Sequence, residues 1–108
     1  MKEEFNKAIL FKRAILEKKK IKIKFIPASG DERERFCIPF DIGPSRKYQQ
    51  PNLRYHMYDL NSPKGPHNLS ILPEKITYIE LLDEEFDPGT YIKWKPEWLF
   101  PRDWGLYS

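Results

Sequence analysis

Residues 19 to 25 read KKIKIKF, a stretch in which lysine alternates with a large apolar residue. Successive side chains of a strand point to opposite faces, so Ile21, Ile23 and Phe25 share one face while Lys20, Lys22 and Lys24 share the other. A half-buried strand satisfies this pattern, whereas a helix would scatter the isoleucines around its circumference. Any fold for this chain must cover one side of the strand and leave the other in water.

The neighbouring segments supply the cover. Upstream, Phe5, Ala8, Ile9, Phe11, Ile15 and Leu16 recur at helical spacing, with Asn6, Lys7, Arg13 and Glu17 mostly elsewhere, which predicts an amphipathic helix within residues 1–19. Lys12 interrupts the stripe, and its stem can lie along apolar surface with the ammonium in water. Downstream, residues 28–31 (ASGD) have turn chemistry, and ERERFCIPF resumes alternation with Phe36, Ile38 and Phe40 inward, so a hairpin is expected. Pro39 cannot donate to a ladder and places this strand at an edge or at a bend.

DIGPSRKYQQPN reads as a loop, with Gly43 as a turn residue before Pro44. LRYHMYDL then alternates Leu53, Tyr55 and Met57 against Arg54, His56 and Tyr58. NSPKGP is a second loop, and HNLSIL and ITYIELL are two short strands divided at Pro73. One helix and five strands on mostly short connections predict a mainly β, α+β fold: a small, partly closed antiparallel barrel with the helix at one end or side. At 108 residues the chain is the size of one domain.

Beyond Pro88 the character changes. YIKWKPEWLFPRDWGLYS holds all three tryptophans, Trp94, Trp98 and Trp104, with Tyr91, Phe100 and Tyr107. Rings at this density mark either a partner surface or a base-stacking platform, or else a tail that docks on its own domain; the cost of exposing them favours docking.

Charge is unevenly spread. Through Arg54 there are 14 Lys and Arg against 7 Asp and Glu, and afterwards 5 against 9, for a total of +3. That total lies well below the footprint of a dedicated nucleic-acid binder. No apolar run approaches the length of a membrane span, and the charged N-terminus lacks a secretory core, so the cytoplasm is the expected compartment. A single cysteine, Cys37, excludes an internal disulfide and a multi-cysteine zinc site.

With the elements in order, the stretch from about Ala14 to Pro88 resembles the WYL domain, an SH3-like or Sm-like barrel of bacterial regulators. AILEKKKIKIKFIPASGDERERFCIPFDI is similar to that family's opening, RYHMYDL falls at its naming strand, and SILPEKITYIELLDEEFDP is similar to its closing strand pair and acidic-Phe ending. Leu53, Arg54 and Tyr55 stand where Trp, Tyr and Leu would, so the frame matches and the signature does not. Of the basic residues that the family carries in the penultimate strand, only Lys75 stands near the expected place. The tail lies outside the matched stretch, and the single domain divides into residues 1–19 as helix, 20–88 as a WYL-like barrel and 89–108 as a Trp-rich tail packed on it. The resemblance implies a ligand-sensing role in a bacterial or phage regulatory or defence setting.

No catalytic motif stands out, and the expected protein is a binder rather than an enzyme. Cys37, His56 and Asp59 are a nominal thiol-imidazole-carboxylate set, but Cys37 lies mid-strand without an activating neighbour. His56 and His67 lack a ligand-spaced carboxylate, and two hydrogen-bonded or solvent-facing imidazoles are favoured over a metal site. The run Asp83, Glu84, Glu85, Asp87 lacks a calcium-loop pattern and reads as a solvated turn. No cofactor is expected. The strongest constellation is basic and aromatic: Arg46, Lys47 and Tyr48 on the loop, Arg54, His56 and Tyr58 on one strand face, and Lys75. Cations meet phosphates and rings stack on bases, so single-stranded nucleic acid or a nucleotide-like ligand is the expected partner. The rival is a protein-interaction or oligomerisation module that uses the barrel edge and the Trp-rich tail.

Overall fold

A computed structural model gives the fold of residues 2–44 and 53–108, with side chains from residue 6 onward in the helix. Helix α1 (Lys2–Glu17) leads into β1 (Lys19–Phe25), β2 (Arg33–Pro44), β3 (Leu53–Asp59) and β4 (His67–Ile71). A 3-10 turn (Pro73–Lys75) joins β4 to β5 (Ile76–Glu85), and the tail holds a short helix, α2 (Pro88–Tyr91), and a 3-10 turn at Gly105–Tyr107. No helix is long and apolar enough to cross a membrane among these residues.

All strand pairings are antiparallel and the order is β4-β3-β2-β1-β5. The sheet is open, with β4 and β5 as its edges. Those edges are nevertheless consecutive in sequence. Four strand spacings separate them across the sheet, on the order of 19 Å if it were flat, and the turn between Ile71 and Ile76 contains a 3-10 helix with a rise of only about 2 Å per residue. The sheet therefore curls to bring this end of its edges together, and the Ile26 N–H donates to the Lys75 carbonyl at 2.9 Å.

One sheet face carries Ile21, Ile23, Cys37, Ile42, Tyr55, Met57 and Ile71, all buried. α1 covers it with Phe11, Ala14 and Ile15, and the Phe11 and Tyr55 rings lie 4.9 Å apart. The lysines of β1 lie on the opposite face, as the alternation predicts. Two members of the predicted helix stripe, Ile9 and Leu16, are instead exposed at 42% and 53%, while Leu10 and Ala14 join the buried side.

β2 departs from expectation in phase and in place. It is the central strand, so the edge reading of Pro39 is corrected; the bend reading holds, because the β2–β3 register slips between Pro39 and Asp41. Cys37 and not Phe36 faces the core, since Cys37 pairs with Ile21 and Asp59. Phe36 is 39% exposed on the far face, and Ile38 and Phe40 are buried there in a second layer. Phe40 is the extra residue of the bulge, which leaves Phe40 and Asp41 side by side and returns Ile42 to the core face. β2 is covered on both sides, so its alternation of apolar and polar residues disappears. Leu53, in phase with Tyr55 and Met57, is 46% exposed at the strand end.

The second layer is the tail. Phe40 packs against Trp94 and Trp98 at 5.8 Å each, and Tyr58 against Tyr91 at 5.8 Å. Ile92 and Trp104 are buried, the latter edge-on to Phe86.

The charge asymmetry resolves into strand pairing. Lys19 meets Glu85 and Lys20 meets Glu84 across β1–β5, while Lys22 and Lys24 flank Glu34. The acidic run is thus the end of β5 and not the expected turn; only Asp87 leaves the strand, where it caps α2 by accepting from the Gly89 N–H. Gly43 likewise lies in β2 and not in a turn, and a Cβ there would meet the Leu99 side chain.

Candidate functional site

The bulge in β2 and the docking of the tail together build a groove of about 660 Å³. Phe40, Trp94 and Trp98 give it aromatic surfaces, His56, Asn68 and Ser70 line it from β3 and β4, and Lys95 and Glu97 stand on the tail side. The volume is that of a small-molecule site, and the mixture of apolar walls with a few polar groups suits an oriented ligand. Trp94 is 48% exposed, so much of its indole is open to a ligand or to water.

Asp41 holds the tail in position. Its carboxylate, almost wholly buried, accepts from the N–H groups of Leu99 (2.8 Å) and Phe100 (2.9 Å) and from the Arg102 guanidinium. Arg102 also donates to the carbonyls of Phe40 and Phe100, and its guanidinium lies 4.2 Å and 4.4 Å from the ring centres of Trp98 and Trp104. Desolvation lowers the Arg102 pKa to about 10 despite the pull of Asp41 in the other direction. The charged ends of both residues are thereby committed to architecture.

The polar groups of the groove differ in their freedom. His56 Nε2 lies 2.9 Å from the Gly43 carbonyl, which fixes the ring and leaves Nδ1 for another partner. The Ser70 hydroxyl oxygen is buried without a hydrogen-bond partner among the described residues. A buried hydroxyl left unpaired is a local cost of the fold.

Among the residues singled out from the sequence, Arg54, His56 and Tyr58 do share the outer face of β3. They are not equivalent. His56 lines the groove; Arg54 donates to the Ser70 carbonyl at 2.9 Å; Tyr58 is half-buried between Phe40 and Tyr91, with no open ring face comparable to that of Trp94. Lys75 is exposed on the 3-10 turn and does not line the groove. Arg46, Lys47 and Tyr48 lie outside the described residues.

The nominal Cys37–His56–Asp59 set is not assembled. Cys37 and Asp59 are cross-strand partners on the core face, and His56 is on the other. Burial, reinforced by Asp59, pushes the Cys37 thiol far above its ordinary pKa, so it is protonated and a poor nucleophile. Among the described residues, no cluster of three or more His, Cys, Asp or Glu is placed to hold a metal ion.

Sequence reading missed Asp41, Asn68, Ser70 and Lys95 as lining residues. Asp41 had one legible sign, an acidic residue directly after an apolar run, with a lone arginine among tryptophans at Arg102 to complement it. Nothing local marks Asn68 or Ser70, which acquire their place from the β3–β4 register. Comparison with protein-family models, with curated proteins and with solved structures returned no match.

Proposed function

We propose that the chain is a non-catalytic binding module whose groove takes a nucleotide-like ligand or a short single-stranded nucleic acid. One observation carries this reading: Trp94 presents an open indole beside the Phe40 and Trp98 rings, in a groove that Asn68 and the fixed His56 imidazole also line. A base stacked on Trp94 gains sequence-tolerant affinity, and its edge can meet Asn68 and His56. Lys95 is the one Lys or Arg among the described residues that lines the groove, and stacking is the main source of affinity in this reading.

A barrel of the WYL kind is the fold that we associate with this role. An open five-stranded sheet whose edge strands are joined by one 3-10 turn needs little further curl to close, and the resemblance over residues 14–88 points the same way. A regulatory or defence role in a bacterial or phage setting is what that resemblance implies, and the charged N-terminus and single cysteine favour the cytoplasm.

The test is anisotropy of labelled RNA and DNA 10-mers with parallel Trp quenching at two salt concentrations. Saturable binding with quenching that disappears in Trp94→Ala supports the reading; no binding at about 50 mM salt, where electrostatic contacts are weakly screened, removes it.

A second reading rests on exposed apolar surface. Trp94, Leu99 and Leu106 are exposed at 48%, 57% and 94%, a set that also suits protein docking or self-association through the tail. Sedimentation over a hundredfold concentration range distinguishes a self-associating chain from a monomer.

A further inference from the structure

A second cavity, of about 290 Å³, opens on the core face of the sheet, at the other end of β3 from the Phe11–Tyr55 contact. Its walls include Phe25 and Leu69, and its mouth carries Arg33, Lys64 and His67. We propose that this cavity binds a small organic anion: an oxyanion headgroup, phosphate or carboxylate, carried on an apolar body.

The charges at the site separate into a satisfied pair and an unsatisfied remainder. Asp59, fully buried, is met by Arg35 Nε at 3.2 Å and by the Asn61 N–H at 3.0 Å. That pair is internally neutral, and Arg35 is only 14% exposed, so neither member offers net charge to a ligand. Arg33 and Lys64 are different. Both are exposed, both line the cavity, and neither has an acidic partner among the described residues.

On the far face of the sheet the β1 lysines are matched by carboxylates, Lys20 by Glu84 and both Lys22 and Lys24 by Glu34. Here two cations from different elements, β2 and the β3–β4 loop, line one cavity without an acidic partner among the described residues. His67 adds a donor or acceptor: its Nδ1 lies 3.0 Å from the Gly65 carbonyl, which leaves Nε2 for a ligand. Arg33 supplies a planar fork suited to a phosphate or carboxylate, and Lys64 a point charge beside it. Behind the headgroup Phe25, Pro27 and Leu69 give the cavity apolar wall that an organic body can meet and a bare inorganic ion cannot.

The cavity opens on the other side of the sheet from the aromatic rings of the groove and shares one lining residue with it, Leu69. The experiment titrates phenyl phosphate, benzoate and inorganic phosphate into the intact protein by calorimetry and amide-shift NMR. Phenyl phosphate and benzoate compare the two headgroups, and inorganic phosphate measures what the apolar wall adds. At least one aromatic anion is expected to bind saturably, with shifts at Arg33, Lys64 and His67, and several-fold tighter than inorganic phosphate. Arg33→Ala with Lys64→Ala removes two exposed side chains, leaves the circular dichroism spectrum unchanged and weakens binding by about tenfold or more. Trp94→Ala leaves this binding unchanged. The proposal is overturned if none of the three anions binds, if the double variant binds as well as wild type, if inorganic phosphate binds as tightly as the aromatic anions, or if Trp94→Ala abolishes the shifts.

Discussion

Arg102 and Asp41, 61 residues apart in sequence, meet at 3.1 Å beneath the tail, and the arginine side chain is wholly shielded from solvent. The pair is what turns an aromatic C-terminal segment into a fixed wall. Asp41→Ala is expected to leave Arg102 buried without its counter-ion and the Leu99 and Phe100 N–H groups unpaired, at a cost of about 3–5 kcal/mol in urea unfolding. Lys20→Ala, which removes the surface pair with Glu84, is the control and is expected to cost about 1 kcal/mol or less. Equal effects from the two substitutions would show that the tail is held by other contacts.

Trp104 ties the same tail to the helix. Its indole N–H donates at 2.8 Å to the Ile15 carbonyl in the last turn of α1, which also accepts from the Lys18 N–H at 3.3 Å. The helix ends there with Lys18 at φ 55°, a left-handed conformation in which glycine is usual. Trp104→Phe keeps much of the packing and removes the donor, with an expected loss of about 1–3 kcal/mol. Truncation after Pro88 removes Ile92, Trp104 and the partners of Asp41 together, and is expected to lower the melting temperature of the whole chain. An unchanged melting temperature would mean that the tail adds nothing to stability.

The difference between what was legible and what was not follows from how many faces of each element are covered. β1 has one covered face, and its Ile–Lys alternation predicts its boundaries and orientation. β2 has two, so ERERFCIPF admits either phase, and cross-strand pairing to β1, absent from any local pattern, selects the one that puts Cys37 inward. The bulge at Phe40 then inverts the phase again, which is why Asp41 sits on the outer face although DIGP has the composition of a loop. The groove was illegible for the same reason, since it exists only where the tail crosses the bulge. The strand face with Arg54, His56 and Tyr58 was legible from alternation alone, but not that Tyr91 and Phe40 would enclose Tyr58.

Cys37 gives a pH signature. Its folded-state pKa is raised above the ordinary 9.0, first by burial and then by Asp59, so the fold holds the protonated thiol while the unfolded chain ionises above pH 9. The stabilisation from this group is fully present below pH 9 and is lost as the pH rises further. Between pH 8 and pH 10 the wild type is expected to lose about 1.4 kcal/mol more than Cys37→Ala, in which other titrations are common to both proteins. Parallel stability curves over that interval would contradict a protonated buried thiol. The substitution itself is expected to leave ligand binding unchanged.

Stacking and phosphate contacts in the aromatic groove leave different traces in a salt titration. Trp94, open to solvent and edge-on to Trp98 at 6.5 Å, is the ring with a face to offer; Tyr58 is enclosed. Trp94→Ala is therefore expected to cost about 1–3 kcal/mol in affinity for a short single strand at every salt concentration, with the slope of log affinity against log salt nearly unchanged. Lys95→Ala is expected to act on the slope, lowering it by roughly 0.7 if the ammonium meets one phosphate. Tyr58→Ala behaves differently from both: it removes a packed ring from between Phe40 and Tyr91, so it lowers stability, and any loss of affinity tracks the fraction unfolded. A strand whose binding is insensitive to Trp94→Ala yet falls with Lys95→Ala would be held by charge alone, and the groove would then have no part in reading bases.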